Sequence, residues 1–371
     1  MLRAIRSDPG FELQLIVAGM HLSPDFGMTA SEIEKDGFEI AARVEMLVDS
    51  ESPEGIAKSI GLGVSGFAEV FSQSKPDILL LVGDRYELLA AASAALPFLI
   101  PLAHISGGDV TEGSFDNQVR HAISKMSHLH FVSMDAHRER LLQMGEEPWR
   151  IFVTGDPALD SLGQIQLPDR PELAKDLGLE LNAPVVMVSY HPPTLDLGME
   201  AELEALLGAL ERLSGTFVFT YPNADPQSHL IIQRLRRFVA GKSNVGLFFN
   251  LGQAKYYGLM AVADLMVGNS SSGIWEAPSF SLPGVNIGQR QQGRLRAGNV
   301  IDVAGNAEDI YQAMLRGLKP DFREGLRGLT NPYGTGNAVP IIMETLGQIA
   351  LGPALMQKHF IDIPRPTPVS N

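Results

Sequence analysis

Cysteine is absent from all 371 residues. Disulfides, thiolate nucleophiles and zinc–thiolate centres are excluded with it. Basic residues are in the minority: 29 Lys and Arg stand against 43 Asp and Glu, a formal net charge of −14. That balance disfavours a broad cationic face for nucleic acid or anionic membrane, but leaves room for a local basic pocket around a small anion. No apolar run reaches the roughly 20 residues of a membrane-spanning helix, and no signal peptide is legible. The cytoplasm is the expected location. Common catalytic signatures are missing too. There is no Gly-x-Ser-x-Gly elbow, no His-Glu-x-x-His and no Gly-x-Gly-x-x-Gly, and Gly241-Lys242-Ser243 lacks the upstream glycine of a Walker loop. Serine hydrolases, zincins, ordinary nicotinamide enzymes and P-loop NTPases lose ground accordingly.

What is present is an ordinary folded composition, 45% hydrophobic and 19% charged, in a chain long enough for two domains. Apolar β-like runs occur at Leu13–Val17, Ile78–Val82, Leu99–Ile105, His130–Ser133 and Ile151–Thr154. A second set covers Val185–Ser189, Phe217–Tyr221, Val245–Phe249, Leu265–Val267 and Val285–Ile287. Segments of helical spacing lie between them, among them Tyr86–Leu96, Ala201–Leu213 and Ala307–Leu318. Continuous apolar strands alternating with helices imply parallel sheets covered on both faces. The polar, proline-bearing stretch Gln164–Glu172 is the expected boundary between two doubly wound α/β halves. Ligands of such sheets bind at the carboxyl ends of the strands, here the cleft between the halves.

The beginning of the chain is unusual. Leu2–Arg6 reads as the end of a helix stopped by Asp8-Pro9-Gly10, and the first full strand follows only afterwards. A domain of this kind normally opens with a strand, so the expectation is that its opening strand is missing. The alternative is a chain that simply starts in a helix.

Candidate chemistry gathers at strand ends. Residues 268–276, Gly-Asn-Ser-Ser-Ser-Gly-Ile-Trp-Glu, follow the apolar Leu265–Val267 and read as strand, tight polar loop and helix start. Loop N–H groups and the positive end of a helix dipole would attract a phosphate, with Glu276 about one turn on, near a ribose hydroxyl. A serine-capped turn has the same signature. Gly83-Asp84-Arg85-Tyr86-Glu87 follows Ile78–Val82. The long loop from His104 through Ser106 to Asp116 carries Asp109, Glu112 and Asp116. A polar loop of that length inside a compact domain is usually functional. Asp116 reads either as an acid–base group with a raised pKa or as an N-cap. The neighbouring Arg120-His121 reach the same end only if the helix register allows, and His121 reads as a structural hydrogen bonder. In the second half, His191 follows Val185–Ser189 and suits donation to a phosphate or a leaving group; Tyr221–Asp225 is the equivalent loop of the next strand. Arg290, after Val285–Ile287, is either a bidentate partner for a diphosphate or a surface charge.

Taken together and in this order, these motifs resemble the hydrolysing UDP-N-acetylglucosamine 2-epimerases, the branch that supplies N-acetylmannosamine for sialic acid. The resemblance spans nearly the whole chain. It implies a GT-B-like α/β fold of two doubly wound, parallel-sheet Rossmann-like domains. Residues 1–165 would form the sugar-side domain, completed by a C-terminal helix over about 345–371, and 170–344 the UDP-binding domain. It implies a catalytic set of Asp84, Asp116 and His191, with Asp109 or Glu112 standing in for a glutamate that some members carry at the position of Ser106. It implies substrate binding by Arg85, His104, Ser106, Asn223, Ser270, Ser271, Ser272, Gly273, Glu276 and Arg290. The reaction implied is anti elimination of UDP through 2-acetamidoglucal, then hydration to N-acetylmannosamine, with no metal or nicotinamide. The UDP-sugar is the expected partner, and a homodimer or homotetramer the expected assembly. A 2-epimerase of a UDP-diacetamido-trideoxyhexose, on a legionaminic-type path, and a non-catalytic UDP-sugar binder are the alternatives. One departure stands out: the Gly-Thr-Arg or Gly-Ser-Arg loop with which members usually begin has no counterpart, which removes an arginine and an edge of the expected cleft.

Overall fold

The computed structural model describes residues 1–48, 52–195, 198–223 and 225–362. Its strands are β1 (Ile16–Ala18), β2 (Ala42–Val44), β3 (Leu79–Val82), β4 (Leu102–Ile105), β5 (Leu129–Val132) and β6 (Ile151–Val153) in the first half. In the second half they are β7 (Val185–Ser189), β8 (Thr216–Thr220), β9 (Val245–Phe248), β10 (Leu265–Gly268), β11 (Gly284–Ile287) and β12 (Val300–Val303). Every pairing is parallel. The architecture is the expected GT-B-like one, parallel α/β sheets in two halves.

The second-half sheet runs β12-β11-β10-β7-β8-β9. The chain winds outward from β7 to β9, returns beside β7 as β10 and winds the other way. A crevice opens where the winding reverses, between β7 and β10. All five residues of β7 are buried, as a central parallel strand covered on both faces requires. Helix Ala307–Gly317 shows how the outer layer is specified. Asn306 caps it by accepting from the Asp309 N–H at 2.9 Å, and Ile310, Ala313, Met314 and Gly317 form its buried stripe.

The first half is divided. β3-β4-β5-β6 form one sheet, while β1 and β2 form a separate two-stranded one. Helices Pro53–Ser74 and Tyr86–Ala95 cover both, and a single apolar cluster joins Val44 and Met46 to Leu81, Phe67 and Ala91. The chain starts in a short helix, Leu2–Ser7, closed by the Gly10 N–H donating to the Asp8 carboxylate at 2.9 Å.

Two strands carry no clear sequence signal. β2 is only Ala-Arg-Val, and β12 is an edge strand whose Asp302 faces outward. The C-terminal segment packs on the first half. Ala338, Ile342 and Leu355 share a core with Ala103, Ile105, Leu129 and Phe131. Helix Ala338–Gln348 is capped from that side by Asp160, whose carboxylate accepts the N–H groups of Ala338 and Val339 at 2.9 and 2.6 Å. The buried Arg150 donates to the carbonyls of Leu355 and Gln357, both at 2.8 Å. The expected single C-terminal helix is thus two, Ala338–Gln348 and Pro353–Met356, and residues 363–371 of that expectation lie outside the described residues.

Candidate active site

The crevice between β7 and β10 is held by Asn269. Its carboxamide accepts the His191 N–H at 2.7 Å and donates to the His191 carbonyl at 2.8 Å, while its own N–H bonds the Ser189 carbonyl. Gly268 before it has φ +138°, and a Cβ there would lie 2.0 Å from the Ser189 carbonyl oxygen, so only glycine lets the two loops meet. Ser270, Ser271 and Ser272 line a cavity of about 290 Å³ together with His191, Asn223 and Arg290. Gly273 lies behind this loop, where its carbonyl accepts from the Asn299 side chain at 3.1 Å.

The expected helix dipole is largely missing. The helix after the loop is a single turn, Ser272–Trp275, followed by a 3-10 turn, Ala277–Phe280. Pro278 and Gly273, which lies inside the turn, do not sustain a longer helix, so few peptide dipoles add up there. Positive potential comes instead from Arg290. This residue is buried, donates to the Asn269 carbonyl at 3.3 Å, and leaves its Nε without a hydrogen-bond partner among the described residues. The surface-charge reading of Arg290 is thereby overturned.

His191 differs from its expectation as an acid. Its Nδ1 accepts the Asn223 N–H at 3.1 Å, so the neutral ring carries its proton on Nε2, which faces Ser189 Oγ at 3.4 Å. Burial and the neighbouring Arg290 push its pKa down to about 3. In this state it is a neutral hydrogen-bond donor. Glu276 is pushed up to about 7 by burial and by Asp156, despite a hydrogen bond from Ser272, and its Oε2 has no hydrogen-bond partner among the described residues.

The opposite wall comes from β3 and β4. Asp84 is ion-paired with the buried Arg120, which also donates to the Asp109 carbonyl at 3.2 Å and to Thr111 Oγ1 at 2.9 Å. The helix register therefore does bring Arg120 to the strand ends. His121 next to it leaves Nδ1 without a hydrogen bond among the described residues, contrary to its structural reading. Asp116 is buried, and it is not the N-cap. Phe115 occupies that position, and the Asp116 carboxylate accepts from Ser114 Oγ at 2.9 Å. Burial and the charge of Asp84 raise its pKa to about 6. Arg85 is ion-paired across the cleft with Asp225 of the second half, and with Glu87 at 3.4 Å.

Other expected residues fall outside this carboxylate pair. The Asp109 carboxylate turns to Arg294 Nε at 2.8 Å and His137 Nε2 at 3.2 Å. Its pKa is held well below the usual carboxylate range: Arg294 and His137 outweigh the opposing effect of burial. A group so firmly ionised and paired is a bridge between the halves rather than an acid–base partner. Glu112 is exposed, and its backbone N–H bonds the Gln292 carbonyl at 3.0 Å. His104 is fully buried and neutral, with a pKa pushed down to about 4 by burial; its Nε2 donates to the Gly83 carbonyl at 2.7 Å and its Nδ1 meets Ser124 Oγ at 3.1 Å. It shapes the Asp84 loop from beneath. Ser106 is buried at a left-handed φ of +68° and bonds Phe131 through its backbone.

The arrangement unites a carboxylate pair on one wall with hydroxyls, a neutral imidazole and a buried guanidinium on the other. It suits proton transfer at a carbon next to a departing phosphate. Sequence reading assigned no role to Asn269, Asp225 or Arg294. The first two lie inside motifs already picked out, but only the fold shows that Asn269 joins two loops 78 residues apart in sequence. Arg294, stacked 4.7 Å over Trp275, sits at the end of the Arg290 stretch.

A family profile described as UDP-N-acetylglucosamine 2-epimerase matches residues 3–347. The chain is 40% identical over 97% of its length to a Campylobacter jejuni GDP/UDP-N,N'-diacetylbacillosamine 2-epimerase (hydrolyzing), of which it covers 94%. It is 34% identical over 96% of its length to a Legionella pneumophila UDP-N,N'-diacetylbacillosamine 2-epimerase (hydrolyzing), again covering 94% of that protein. The crystal structure of UDP-GlcNAc 2-epimerase from Neisseria meningitidis bound to UDP-GlcNAc shares the fold, with a TM-score of 0.78 at 21% identity over 93% of this chain and 94% of that one. No helix among the described residues is long and apolar enough to cross a membrane. The chain belongs to the UDP-N-acetylglucosamine 2-epimerase family.

Proposed function

We propose that the chain is a hydrolysing 2-epimerase of a UDP-linked 2,4-diacetamido-2,4,6-trideoxyhexose, releasing UDP and the free C2-epimeric sugar. One observation carries the choice of sugar: 40% identity over 97% of the chain to a hydrolysing diacetylbacillosamine 2-epimerase. The UDP-N-acetylglucosamine substrate expected first from the sequence is supported only at the level of the family, and the diacetamido alternative takes its place.

The chemistry is the same for either sugar. A base removes the C2 proton and UDP departs from C1 with the C1–O electron pair, leaving a glycal. Water then adds its hydroxyl at C1 while C2 takes a proton on the opposite face. Asp84 and Asp116 form the acid–base pair. Asp116, held up to about 6, gains and loses a proton readily near neutral pH. Ser270, Ser271, His191 and Arg290 receive the diphosphate, whose charge satisfies the unpartnered Arg290 Nε. Glu276 accepts from the ribose hydroxyls.

Proton NMR in deuterated water tests this. With the UDP-diacetamido sugar, the expected products are UDP and a free sugar carrying deuterium at C2. Turnover of UDP-N-acetylglucosamine with equal or higher kcat/KM would restore the first expectation. Bound UDP with no product from either sugar would favour a binding protein.

A further inference from the structure

Beside the Arg85–Asp225 pair lies a second, larger cavity, of about 620 Å³. It is roofed by residues 19–28, which fold as two short 3-10 turns after β1, and floored by Met46, Leu47 and Ile56. Asp225, the partner of Arg85, is part of its wall, as Asn223 is part of the wall of the cavity containing Ser270–Ser272. The two cavities therefore flank one loop, with the Arg85–Asp225 pair at the junction and Asp116 within its electrostatic reach. A sugar carried by a diphosphate at Ser270–Ser272 and reaching past the Arg85–Asp225 pair would enter the larger cavity with its far end.

The chemistry of the wall indicates what that end is. Its described lining residues include Asp25, Glu45 and Asp225 and no lysine or arginine. Asp225 is paired with Arg85, and the two remaining carboxylates, Asp25 and Glu45, disfavour a second phosphate there. Much of the wall is apolar, with the part-exposed or exposed Leu22, Phe26 and Met28 presenting side chains that would gain nothing against hydroxyl groups. Phe26 from the first half stacks on His229 from the second, ring centroids 6.4 Å apart, so the wall spans both halves. Methyl groups are the natural complement of such a surface.

We propose that this cavity is the sugar-discriminating pocket, and that Leu22, Phe26 and Met28 select a hexose bearing a C6 methyl and a C4 acetamido group over one bearing hydroxyls there. The inference rests on the 2-epimerase reading above and adds to it where the choice of sugar is made. A pocket of this kind discriminates by the transfer energy of one or two methyl groups, about 10–200-fold in kcat/KM.

The test uses the full chain and four UDP-sugars: UDP-N-acetylglucosamine, its 6-deoxy form, its 4-acetamido form and the 4-acetamido-6-deoxy form. Each kcat/KM is measured for the wild type and for Phe26→Ser and Met28→Ser. In the wild type, both the 6-deoxy and the 4-acetamido change raise kcat/KM, and together they raise it about tenfold or more. In the variants the preference collapses toward unity while the Kd for UDP stays within twofold, which shows a folded nucleotide site. A wild-type preference that the variants leave intact overturns the pocket and spares the epimerase reading. Absence of turnover with all four sugars overturns both. Where a serine variant fails to fold, the wild-type series alone decides: equal kcat/KM for all four sugars refutes the pocket.

Discussion

Asp116 and Glu276 are the two carboxylates whose proton affinity the fold changes most usefully. Asp116 is raised to about 6 by burial and then by Asp84. A base must be ionised, so kcat falls as the pH drops through about 6. The Asp116→Asn variant is expected to lose about 10²–10⁴-fold in kcat with UDP affinity nearly unchanged, measured by NMR turnover and calorimetry. In Asp84→Asn, removing the neighbouring charge shifts the acid limb of the residual activity to lower pH, though not fully, because burial remains the larger cause. Glu276 stands near 7 for the same first reason, burial, followed by the charge of Asp156. Ribose hydroxyls donating to it favour its ionised form. UDP binding near pH 7 is therefore expected to release protons, and affinity to rise with pH across that range. Calorimetry in buffers of different ionisation enthalpy checks the sign: proton uptake would remove Glu276 from the ribose site. The types and positions of these residues were legible in the sequence. Their protonation was not, because it depends on burial and on Asp156, which lies 120 residues away by sequence number.

At the scale of elements, the strand-end loops were readable because apolar runs such as Val185–Ser189 stop abruptly at polar residues. What escaped was how the loops lock together. Asn269 satisfies both backbone groups of His191 across the β7–β10 crevice. Asn269→Ala leaves a buried N–H and a buried carbonyl unpaired, at about 1–3 kcal/mol for each group. The expected result is a lower urea midpoint and weaker UDP binding together; an unchanged midpoint would show that water replaces the carboxamide. The short helix Ser272–Trp275 teaches a related lesson. A serine-rich loop predicts where a helix begins but not that it ends after one turn, since Pro278 and the packing of Ala277 decide that.

For the molecule as a whole, the halves meet through bridges that no local pattern announces. Asp109 pairs with Arg294, Arg85 with Asp225, and the Phe115 N–H donates to Thr194 Oγ1 at 2.9 Å. The Asp109 carboxylate has a depressed pKa when folded, so its stabilising effect is complete above the ordinary carboxylate range and fades as the pH falls below it. Asp109→Asn is accordingly expected to lower the melting temperature at pH 7 and to differ less from the wild type in strong acid, which thermal scans across pH will measure. The closeness of the halves was also illegible: a Cβ on Gly113 would lie 2.3 Å from the Gln289 carbonyl oxygen. The divided first-half sheet has a consequence of a different kind. Leu79 and Gly83 donate their N–H groups to the β4 side, so the alternate amides, Leu80 and Val82, point to the edge where β3 has no pairing strand among the described residues, and Val82 is 54% exposed. Deuterium will enter there through small local fluctuations while β7 and β10, hydrogen-bonded on both sides, exchange only when the whole second half opens. The strand that leads to Asp84 is thus one that breathes, and the two strands that lead to His191 and the phosphate loop keep time more slowly.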